Sequence, residues 1–530
     1  MADLDVSDFL TVMANDPRTS AILMYLESIP DAPKFMAAAQ AAVRRKPVVA
    51  IKPGRHEAAA RAAQTHTGAL AGADGVVDAA LRRAGIIRVR HLEDLFSAAE
   101  ICARFKPLQR GRVAIVTNGG GAGVLAVDEL LDRGCQIAEL TPETLARLDA
   151  SLPSNWSRSN PVDIIGDAKA ERYVAAVRAV AEDPGVDLVL VMNCPTALAE
   201  PMDAAEGVSS VVENGLINGK PVLATWLGQH AALSARRRLN RAGIASLDTP
   251  SKAADAAEML TQWHRSADLL LRNSGIEPSV DVDRGAVALI LDGVARASRS
   301  MLTEPEAKAV LAAYGIAVPR TLKVASVAAV GEAAADLLAS GGQVAVKMLS
   351  GTLTHKSDLG GVVLGLDTAA AAQAAAQQIT DRLTAHGHAG ALEGFSVQQM
   401  VVRPHAEELL VGVTTDPVFG PVLMFGAGGV SVEVVRDTTM ELLPVDDGLA
   451  EDMIARTRIS GLLAGYRNRP AADRAAIVSA LKAVSQLVTD FPQIAAIDIN
   501  PLLADSDGVV ALDARVELAQ QAASAPSPAL

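Results

Sequence analysis

The chain has 530 residues, of which 50% are hydrophobic and only 3% aromatic, and its formal net charge is −13. A chain of this length has room for roughly three to four domains, and their cores must be built mainly from Ala, Val, Leu and Ile. Because the chain is acidic and lacks blocks of Lys or Arg, sequence-independent nucleic-acid binding, which depends on neutralising phosphates, is excluded as its main function.

Cysteine spacing and the N-terminal sequence indicate the compartment. Cys102, Cys135 and Cys194 lie far apart and form no C-x-x-C motif, which excludes a disulfide framework and a zinc ribbon. No apolar run reaches the length needed to span a bilayer. The N-terminal sequence MADLDVSDFL lacks the basic start of a signal peptide. We therefore expect a cytoplasmic protein that neither spans nor binds a membrane.

Strands and helices alternate through the first half of the chain, which predicts parallel sheets with helices on both faces. In the first part, strands are predicted at 19–27, 46–52 and 86–90, and helices at 32–45, 73–84 and from Leu92. After a linker-like segment at 105–111, a buried strand, a glycine-rich turn and a helix occupy 112–134, followed by strands at 186–193, 221–227 and 243–247 and a helical stretch at 251–273. The two parts are predicted to be two doubly wound domains.

From about residue 300 the predicted strands follow one another in runs, which is typical of an α+β domain. A helix at 304–316, ended by Gly315, opens this part. The predicted strands are 343–349, 395–401, 408–414, 421–429, 431–445 and 494–503. A long helix is predicted at 368–385 and a helical stretch at 447–490.

The segment RAAQTHTGALAG places His66 between two threonines in a run of small residues. Glu57 would face the opposite side of a continuous helix, so the helix must end before Thr65 if the two side chains are to meet, and Gly68 gives it a reason to end. A phosphoryl-accepting histidine needs a neutral imidazole with one free nitrogen, and a carboxylate on the other nitrogen fixes the tautomer. The alternative is a solvated loop histidine near a helix N-terminal glutamate.

The sequence TNGGGAG predicts an anion site, because glycines that follow a buried strand and open a helix expose backbone N–H groups at the positive end of the helix dipole. The glycines are Gly119, Gly120, Gly121 and Gly123. The pattern is not a dinucleotide fingerprint, since Val124 stands where the third glycine is required. The alternative is a tight strand-to-helix turn. The loop NPVDIIGDA (160–168) by itself indicates only turn chemistry.

Two further motifs lie in the last part of the chain. Lys347 stands on a predicted strand and is followed by a polar, glycine-rich loop that contains His355 and Lys356, an arrangement suited to nucleotide phosphates. Asn500 in DINPLL and Asp513 in VALDAR are oxygen ligands from two neighbouring strands, which suits Mg²⁺. The alternatives are an exposed lysine with a polar hairpin, and an Asn and an Asp without a functional role.

Taken in order, the motifs HTGALAG, NGGGAG, NPVDIIGDA, THKSDLGG and DINPLL resemble those of the ADP-forming (NDP-forming) acyl-CoA synthetases of the succinyl-CoA synthetase superfamily. The resemblance extends over nearly the whole chain. It implies two flavodoxin-like, succinyl-CoA synthetase-like domains with doubly wound parallel sheets at 1–105 and 106–290. An α+β ATP-grasp domain at 291–530 would follow them.

The resemblance implies that an acyl-CoA, ADP and phosphate are interconverted with a carboxylic acid, CoA and ATP. His66 would carry the phosphoryl group beside the loop glutamate Glu57, and His355 would relay it to the nucleotide. Stabilising the phosphohistidine would fall partly to the helix after Gly119–Gly123. The residues implied for ATP or ADP are Lys347, Lys356, Gln398, Gln399, Met400 and Glu408, and those implied for Mg²⁺ are Asn500 and Asp513. Relatives are commonly homo- or hetero-oligomers.

The chain departs from the family pattern at its start, which matches a point inside the histidine-bearing domain and leaves out the family's N-terminal CoA-binding domain. The sequence allows three explanations: a truncated start, a CoA-binding subunit supplied in trans, or an ATP-binding, self-phosphorylating regulatory or degenerate protein without ligase turnover. A carboxylate–amine ligase would fit residues 300–530 but leaves His66 unexplained. Two smaller departures are Ala496, where an acidic residue is common, and His56, where serine is common.

Overall fold

The structure is a computed structural model that describes residues 4–56, 73–272, 282–350, 359–429 and 437–519. The chain divides into two compact units. The first unit holds most of the residues up to Leu271. The second unit holds the residues from Arg272 onward, together with two earlier segments, Pro30–Met36 and the segment that ends at Ala80. None of the helices in the described ranges is long and apolar enough to cross a membrane.

The chain begins with a small parallel sheet in the order β1-β2-β3. The elements are α1 Val6–Asn15, β1 Ile22–Tyr25, α2 Ala32–Val43, β2 Val48–Ile51, α3 Asp74–Arg83, β3 Ile87–Val89 and α4 Leu92–Arg104. All three predicted strands form, each shorter than its apolar run. The sequence prediction missed α1, which starts at a capping box formed by Asp5 and Asp8.

A larger parallel sheet follows in the order β5-β4-β7-β8-β9, with β6 paired to the end of β4. The elements are β4 Arg112–Thr117, α5 Gly120–Asp132, β5 Gln136–Ile137, α6 Pro142–Ser151, β6 Val162–Asp163, α7 Ala170–Glu182, β7 Leu188–Asn193, α8 Pro201–Glu213, β8 Val222–Trp226, α9 His230–Arg241, β9 Ala245–Leu247 and α10 Pro250–Arg272. Every residue of β7 and β8 is buried, as expected for strands covered on both faces. The strand order is that of the flavodoxin-like fold, which confirms the predicted doubly wound class.

The second unit contains two antiparallel sheets, the first in the order β10-β13-β11-β12. Its elements and the helices around it are α11 Arg284–Arg296, α12 Glu304–Ala313, β10 Thr321–Val324, α13 Val327–Leu338, β11 Val344–Leu349, β12 Val362–Leu366, α14 Ala369–Ala385, a 3₁₀ turn Ala389–Ala391 and β13 Gly394–Gln399. Side chains of α13 and α14 pack against one face of this sheet to form its core.

The second antiparallel sheet has the order β16-β15-β14-β17-β18, and β19 also pairs with β17. Its elements and helices are β14 Glu407–Asp416, β15 Gly420–Ala427, β16 Thr438–Leu442, α15 Asp447–Ala455, α16 Ser460–Leu463, α17 Arg474–Asp490, β17 Ile494–Asp505, β18 Gly508–Ala511 and β19 Ala514–Leu518. The predicted pairing of the DINPLL and VALDAR segments is present, since Leu502 lies opposite Ala511.

The predicted helical stretch at 447–490 is present, and it divides into three helices separated by irregular chain. Gly465 and Arg467 have φ values of 93° and 54°, which an α-helix does not allow. Pro470 then prevents the helix from resuming there. The last helix starts only after Asp473, whose side chain accepts a 3.0 Å hydrogen bond from the Ala476 N–H as an N-cap.

Gly426 on β15 is predicted to be essential for folding of the second antiparallel sheet. A Cβ at this position would collide with the Asp437 carbonyl oxygen and stand 2.9 Å from the Thr438 Cα on the neighbouring chain. We expect Gly426→Ala to lower the free energy of unfolding by about 3 kcal/mol, because backbone atoms must move apart. Chemical denaturation measures this. The control is Gly293→Ala on α11, where a Cβ meets nothing within 4 Å and a stabilisation of about 0.5 to 1 kcal/mol is expected.

Candidate nucleotide and phosphate sites

The glycine-rich turn of the first unit joins β4 to α5 and lies at the carboxyl end of the parallel sheet. Gly119 is the N-cap of α5 and the helix begins at Gly120. Thr117 fixes the turn, since its hydroxyl is 3.1 Å from both the Gly119 nitrogen and the Gly119 carbonyl oxygen. The turn therefore presents the N-terminus of α5 at the edge of the sheet where ligands of this fold bind.

Close neighbours explain why the first two positions of this turn are glycines. A Cβ on Gly119 would stand 2.6 Å from the Cys194 Sγ, and a Cβ on Gly120 would stand 2.8 Å from the Asp163 Oδ2. At Gly121, by contrast, a Cβ would meet nothing within 4 Å. A Cβ at 119 or 120 would therefore force the Cys194 or Asp163 side chain to shift, whereas the space at 121 is open.

Two other loops converge on the turn, and β4 and β7 are the strands at which the sheet order reverses. The Asn118 side chain donates to the Cys194 carbonyl oxygen at 2.9 Å and accepts from the Cys194 N–H at 2.7 Å. A Cβ on Gly166, in the predicted loop 160–168, would lie 3.7 Å from the Asn118 carbonyl oxygen. The structure thus brings together the two loops that the sequence singled out, and adds the loop after β7. Ile165 holds a φ of 70°, a strained conformation of the kind that clusters at functional sites.

Asp163 and Cys194 are two ionisable side chains next to the turn. Burial, and then the charge of Asp163, raise the pKa of the Cys194 thiol. Cys194 is therefore kept as a neutral thiol, and its geometry fits a packing role beside Gly119. One oxygen of Asp163 accepts from the Ile165 N–H at 2.9 Å, so this carboxylate fixes the second loop next to the helix N-terminus. Sequence reasoning did not identify Asp163 or Cys194 as parts of the site.

In the second unit, the first antiparallel sheet has one apolar and one polar face. Val346 and Val397 point into the core under α13 and α14. On the opposite face, Lys347 lies directly across from Ser396, and Gln398 follows two residues later on the same strand. The predicted nucleotide residues Lys347 and Gln398 therefore share the face away from the core.

A buried ionic cluster covers this polar face. The Lys347 Nζ donates to the Glu304 Oε1 at 2.6 Å, and the Lys308 Nζ donates to the same oxygen at 2.8 Å. Lys308 also donates to the Gln398 Oε1 at 2.6 Å. Sequence reasoning missed Glu304 and Lys308, because a Glu and a Lys four residues apart on a helix are usually an exposed pair.

Charge and burial oppose each other in the cluster. Burial would raise the pKa of Glu304, but Lys347 and Lys308 outweigh it and lower that pKa from 4.5 to about 2. Burial lowers the pKa of Lys308, and Glu304 and, to a smaller extent, Asp513 act to raise it.

The second antiparallel sheet brings Glu408 and Asn500 together at a glycine loop. The Gly428 N–H donates to the Glu408 carbonyl oxygen at 2.7 Å, and the Gly429 N–H donates to the Asn500 Oδ1 at 2.9 Å. A Cβ on Gly429 would collide with the Glu408 Oε2. Glycine is therefore required at 429, where φ is also 79°.

Asn500 and Asp513 fit Mg²⁺ only as a partial ligand set. Besides the Asn500 contact to Gly429, the Asp513 Oδ1 accepts from the Ala514 N–H at 2.9 Å. Within the described ranges, no group of three or more His, Cys, Asp or Glu residues could hold a metal. Two side-chain oxygens suit Mg²⁺, which normally takes its remaining ligands from nucleotide phosphates and water.

The other predicted nucleotide residues lie at the end of β13. The Gln399 side chain donates to the Ser340 Oγ at 3.1 Å, and the Met400 N–H donates to the Gln343 carbonyl oxygen at 2.7 Å. Both groups are thus already paired with neighbouring chain. The predicted residues Glu57, His66, His355 and Lys356 lie outside the described residues.

Three family models match the chain. They are a succinyl-CoA ligase-like flavodoxin domain over residues 1–102, a Ligase-CoA domain over residues 113–271 and an ATP-grasp domain over residues 293–518. The predicted fold class, two flavodoxin-like domains followed by an ATP-grasp domain, is confirmed.

Two curated proteins are similar to nearly the whole chain, and one solved structure is similar to about half of it. The ADP-forming acetate–CoA ligase I of Archaeoglobus fulgidus is 34% identical, over 98% of this chain and 73% of that protein. The ADP-forming 4-hydroxybutyrate–CoA ligase of Nitrosopumilus maritimus is 32% identical, also over 98% and 73%. The solved structure is acetyl-coenzyme A synthetase 1 of Ca. Korarchaeum cryptofilum in complex with phosphate and ADP. It matches with a TM-score of 0.50 at 31% identity, over 52% of this chain and 60% of the chain in that structure. The chain therefore belongs to the family of ADP-forming acyl-CoA ligases, as its motifs predicted.

Proposed function

We propose that the chain carries out the nucleotide-dependent phosphoryl transfer of an ADP-forming acid–CoA ligase. The overall reaction interconverts an acyl-CoA, ADP and phosphate with a carboxylic acid, CoA and ATP. The observation that carries the proposal is the polar sheet face on which Lys347 pairs with the buried Glu304 carboxylate and Gln398 pairs with Lys308. Because cationic donors lie together on it, the face suits a nucleotide phosphate.

The proposed roles follow the chemistry of each group. Lys347 binds the nucleotide phosphates, and Asn500 and Asp513 would hold Mg²⁺, which would neutralise phosphate charge. Phosphate attacks the acyl-CoA thioester carbonyl and releases CoA, and the acyl phosphate then loses its phosphoryl group to a His66 nitrogen with release of the carboxylate. His355 takes the phosphoryl group from His66 and passes it to the terminal oxygen of ADP. Each covalent step preserves the phosphoryl group only if water is kept out.

We propose three domains with limits at 1–105, 106–290 and 291–530. The two changes of topology support these limits, from the β1-β2-β3 sheet to the sheet of β4–β9 and from there to the antiparallel sheets. The helix N-terminus at Gly119–Gly123 is proposed to stabilise phosphate or phosphohistidine in the second domain.

CoA and a small carboxylic acid complete the proposed substrates. The similar proteins are named for acetate and for 4-hydroxybutyrate, so the acid is proposed at the level of a small carboxylate. About a quarter of each of these proteins has no counterpart in the residues aligned here. We propose that a CoA-binding segment acts together with these residues, in cis or as a partner subunit of an oligomer.

Binding of ADP tests the nucleotide site directly. We expect isothermal titration calorimetry to show one ADP per chain in Mg²⁺, with an affinity about tenfold lower after Mg²⁺ is removed with EDTA, since the metal screens phosphate charge. GDP in place of ADP tests the base preference. A chain that binds neither nucleotide in the presence of Mg²⁺ would contradict the proposal.

Gly120→Ala is expected to lower the phosphoryl-transfer rate about tenfold, because its Cβ would press on Asp163 and displace the first turn of α5 from its anion. The rate is measured as formation of ATP from ADP, phosphate and an acyl-CoA. Gly121→Ala is the matched comparison, and its smaller steric cost predicts a smaller loss. Equal losses in the two variants would contradict the role given to the close approach at Gly120.

A further inference from the structure

Helix α12 carries the Glu–Lys pair of the buried cluster, and it is attached to both antiparallel sheets of the second unit. Just before the helix, the Leu302 N–H donates to the Val516 carbonyl oxygen on β19. Just after it, the Ala317 carbonyl oxygen accepts from the Ala511 N–H on β18. Its side chains also reach residues of β11 and β13 in the other sheet. The pair is therefore held at a fixed place between the nucleotide face of one sheet and the strands that flank Asp513.

Among the residues that the structure describes, the direct contacts of the cluster include more ammonium groups than carboxylates. Two ammonium groups, those of Lys347 and Lys308, share one oxygen of one carboxylate, Glu304. Since a buried cation is stable only when it is paired, a second anion near the lysines would balance the cluster. A nucleotide phosphate has the charge and the acceptor oxygens for this.

The two lysines differ in how far a ligand can reach them. The Lys347 side chain is 13% exposed, whereas the Lys308 side chain is 2% exposed and the Glu304 side chain 5%. Lys308 contacts Glu304 on one side and Gln398 on the other, and its burial keeps a ligand from reaching it directly. The inner pair is therefore placed to act through its neighbours.

The hydrogen bond from Lys308 also determines the orientation of the Gln398 side-chain amide. An ammonium group can only donate, so the Gln398 Oε1 must face Lys308 and the Nε2 must point elsewhere. Ser396 lies on the same face, fully buried, and its hydroxyl has no hydrogen-bond partner within the described ranges. The Gln398 amide thus has a fixed orientation on the same face as Lys347.

We propose that Glu304 and Lys308 are positioning residues, which aim the Lys347 ammonium at the nucleotide phosphates and fix the amide orientation of Gln398. The inference rests on the proposed nucleotide site and adds two residues to it. Glu304 holds the Lys347 ammonium from the buried side, and Lys308 prevents that carboxylate from turning away. A ligand phosphate approaches the same ammonium from the exposed side.

Glu304→Gln tests the first of these roles, because glutamine keeps the shape and removes the charge. We expect the affinity for ADP to fall about tenfold, while the affinity for adenosine, which has no phosphate, stays within about twofold. Competition calorimetry gives both values. If the variant binds ADP as tightly as the parent chain or more tightly, as the lost negative charge alone would cause, the positioning role is overturned. An equal loss of ADP and adenosine overturns it too, since an equal loss indicates a structural effect alone.

Lys308→Met tests whether the pair acts as one unit. We expect about a tenfold loss of ADP affinity, and no further loss when Lys308→Met is combined with Glu304→Gln, because both changes act through Lys347. Fully additive losses would overturn the proposal. Lys482→Met is the control, since Lys482 pairs with Asp447 at the surface of the same unit, and it is expected to leave ADP binding unchanged. If the parent chain binds no ADP, the proposed function itself fails. If the parent chain binds ADP and the Glu304→Gln and Lys308→Met variants bind it as tightly, this inference alone fails.

Discussion

Replacement of Lys347 by Met is expected to weaken ADP binding about 100-fold, because the variant loses the one partly exposed ammonium group of the cluster. Charge-assisted hydrogen bonds to a phosphate are worth roughly 1.5 to 3 kcal/mol, which corresponds to about 10- to 100-fold in affinity. The upper end is expected here because the Lys347 side chain is only 13% exposed, so water and salt screen the contact weakly. Calorimetric titration with ADP in excess Mg²⁺ measures the change.

The fold should tolerate this substitution. Methionine fills nearly the same volume, and Glu304 keeps Lys308 as its partner at 2.8 Å. We therefore expect the melting temperature of Lys347→Met to lie within a few degrees of the parent value, and Lys482→Met to behave like the parent in both measurements. Parent-like ADP affinity in Lys347→Met would remove this lysine from the nucleotide site.

Replacement of His66 by Ala is expected to abolish synthesis of ATP from acyl-CoA, ADP and phosphate, a loss of about 10³-fold or more. The size follows from the proposed mechanism, in which no other group can accept the phosphoryl group from the acyl phosphate. ADP binding should stay unchanged, because nucleotide contacts are assigned to the second unit. The rate is measured by coupled ATP detection, with the chain supplied with a CoA-binding partner if it needs one.

His388→Ala is the matched control for His66→Ala. His388 is an exposed histidine that precedes a 3₁₀ turn, and its removal is expected to leave the rate unchanged. A His66→Ala variant that retains more than about a tenth of the parent rate would contradict covalent catalysis by this histidine.

The parts of the fold that follow from local pattern could be predicted from the sequence. Continuous apolar runs such as 186–193 and 221–227 correctly gave the buried parallel strands β7 and β8, because strands covered on both faces need no alternation. Short strands of two residues, β5 and β6, have too few residues to show a pattern. The helix α13 was missed because its Ala-rich sequence contains Gly331 and has no strong polar face.

Long-range contacts decided what could not be predicted of the candidate sites. The Gly119 turn, the 160–168 loop and Lys347 were visible as motifs, since each combines residue types with a local physical role. Glu304 and Lys308 looked like an ordinary exposed i,i+4 pair, and only the packing of α12 over a sheet buries them. The contact of Asp163 with Gly120 likewise depends on pairing of β6 with β4.

The central claim, that a histidine of this chain carries phosphate between nucleotide and acyl phosphate, is tested most directly by incubating the chain with γ-labelled ATP and Mg²⁺. The expected result is an acid-labile, base-stable label that mass spectrometry assigns to His66 or His355, and that ADP removes by regenerating ATP. Loss of the label from His66 in a His355→Ala variant would support the relay. A parent chain that binds Mg-ATP but acquires no histidine label, or variants at both histidines that label like the parent, would contradict the claim.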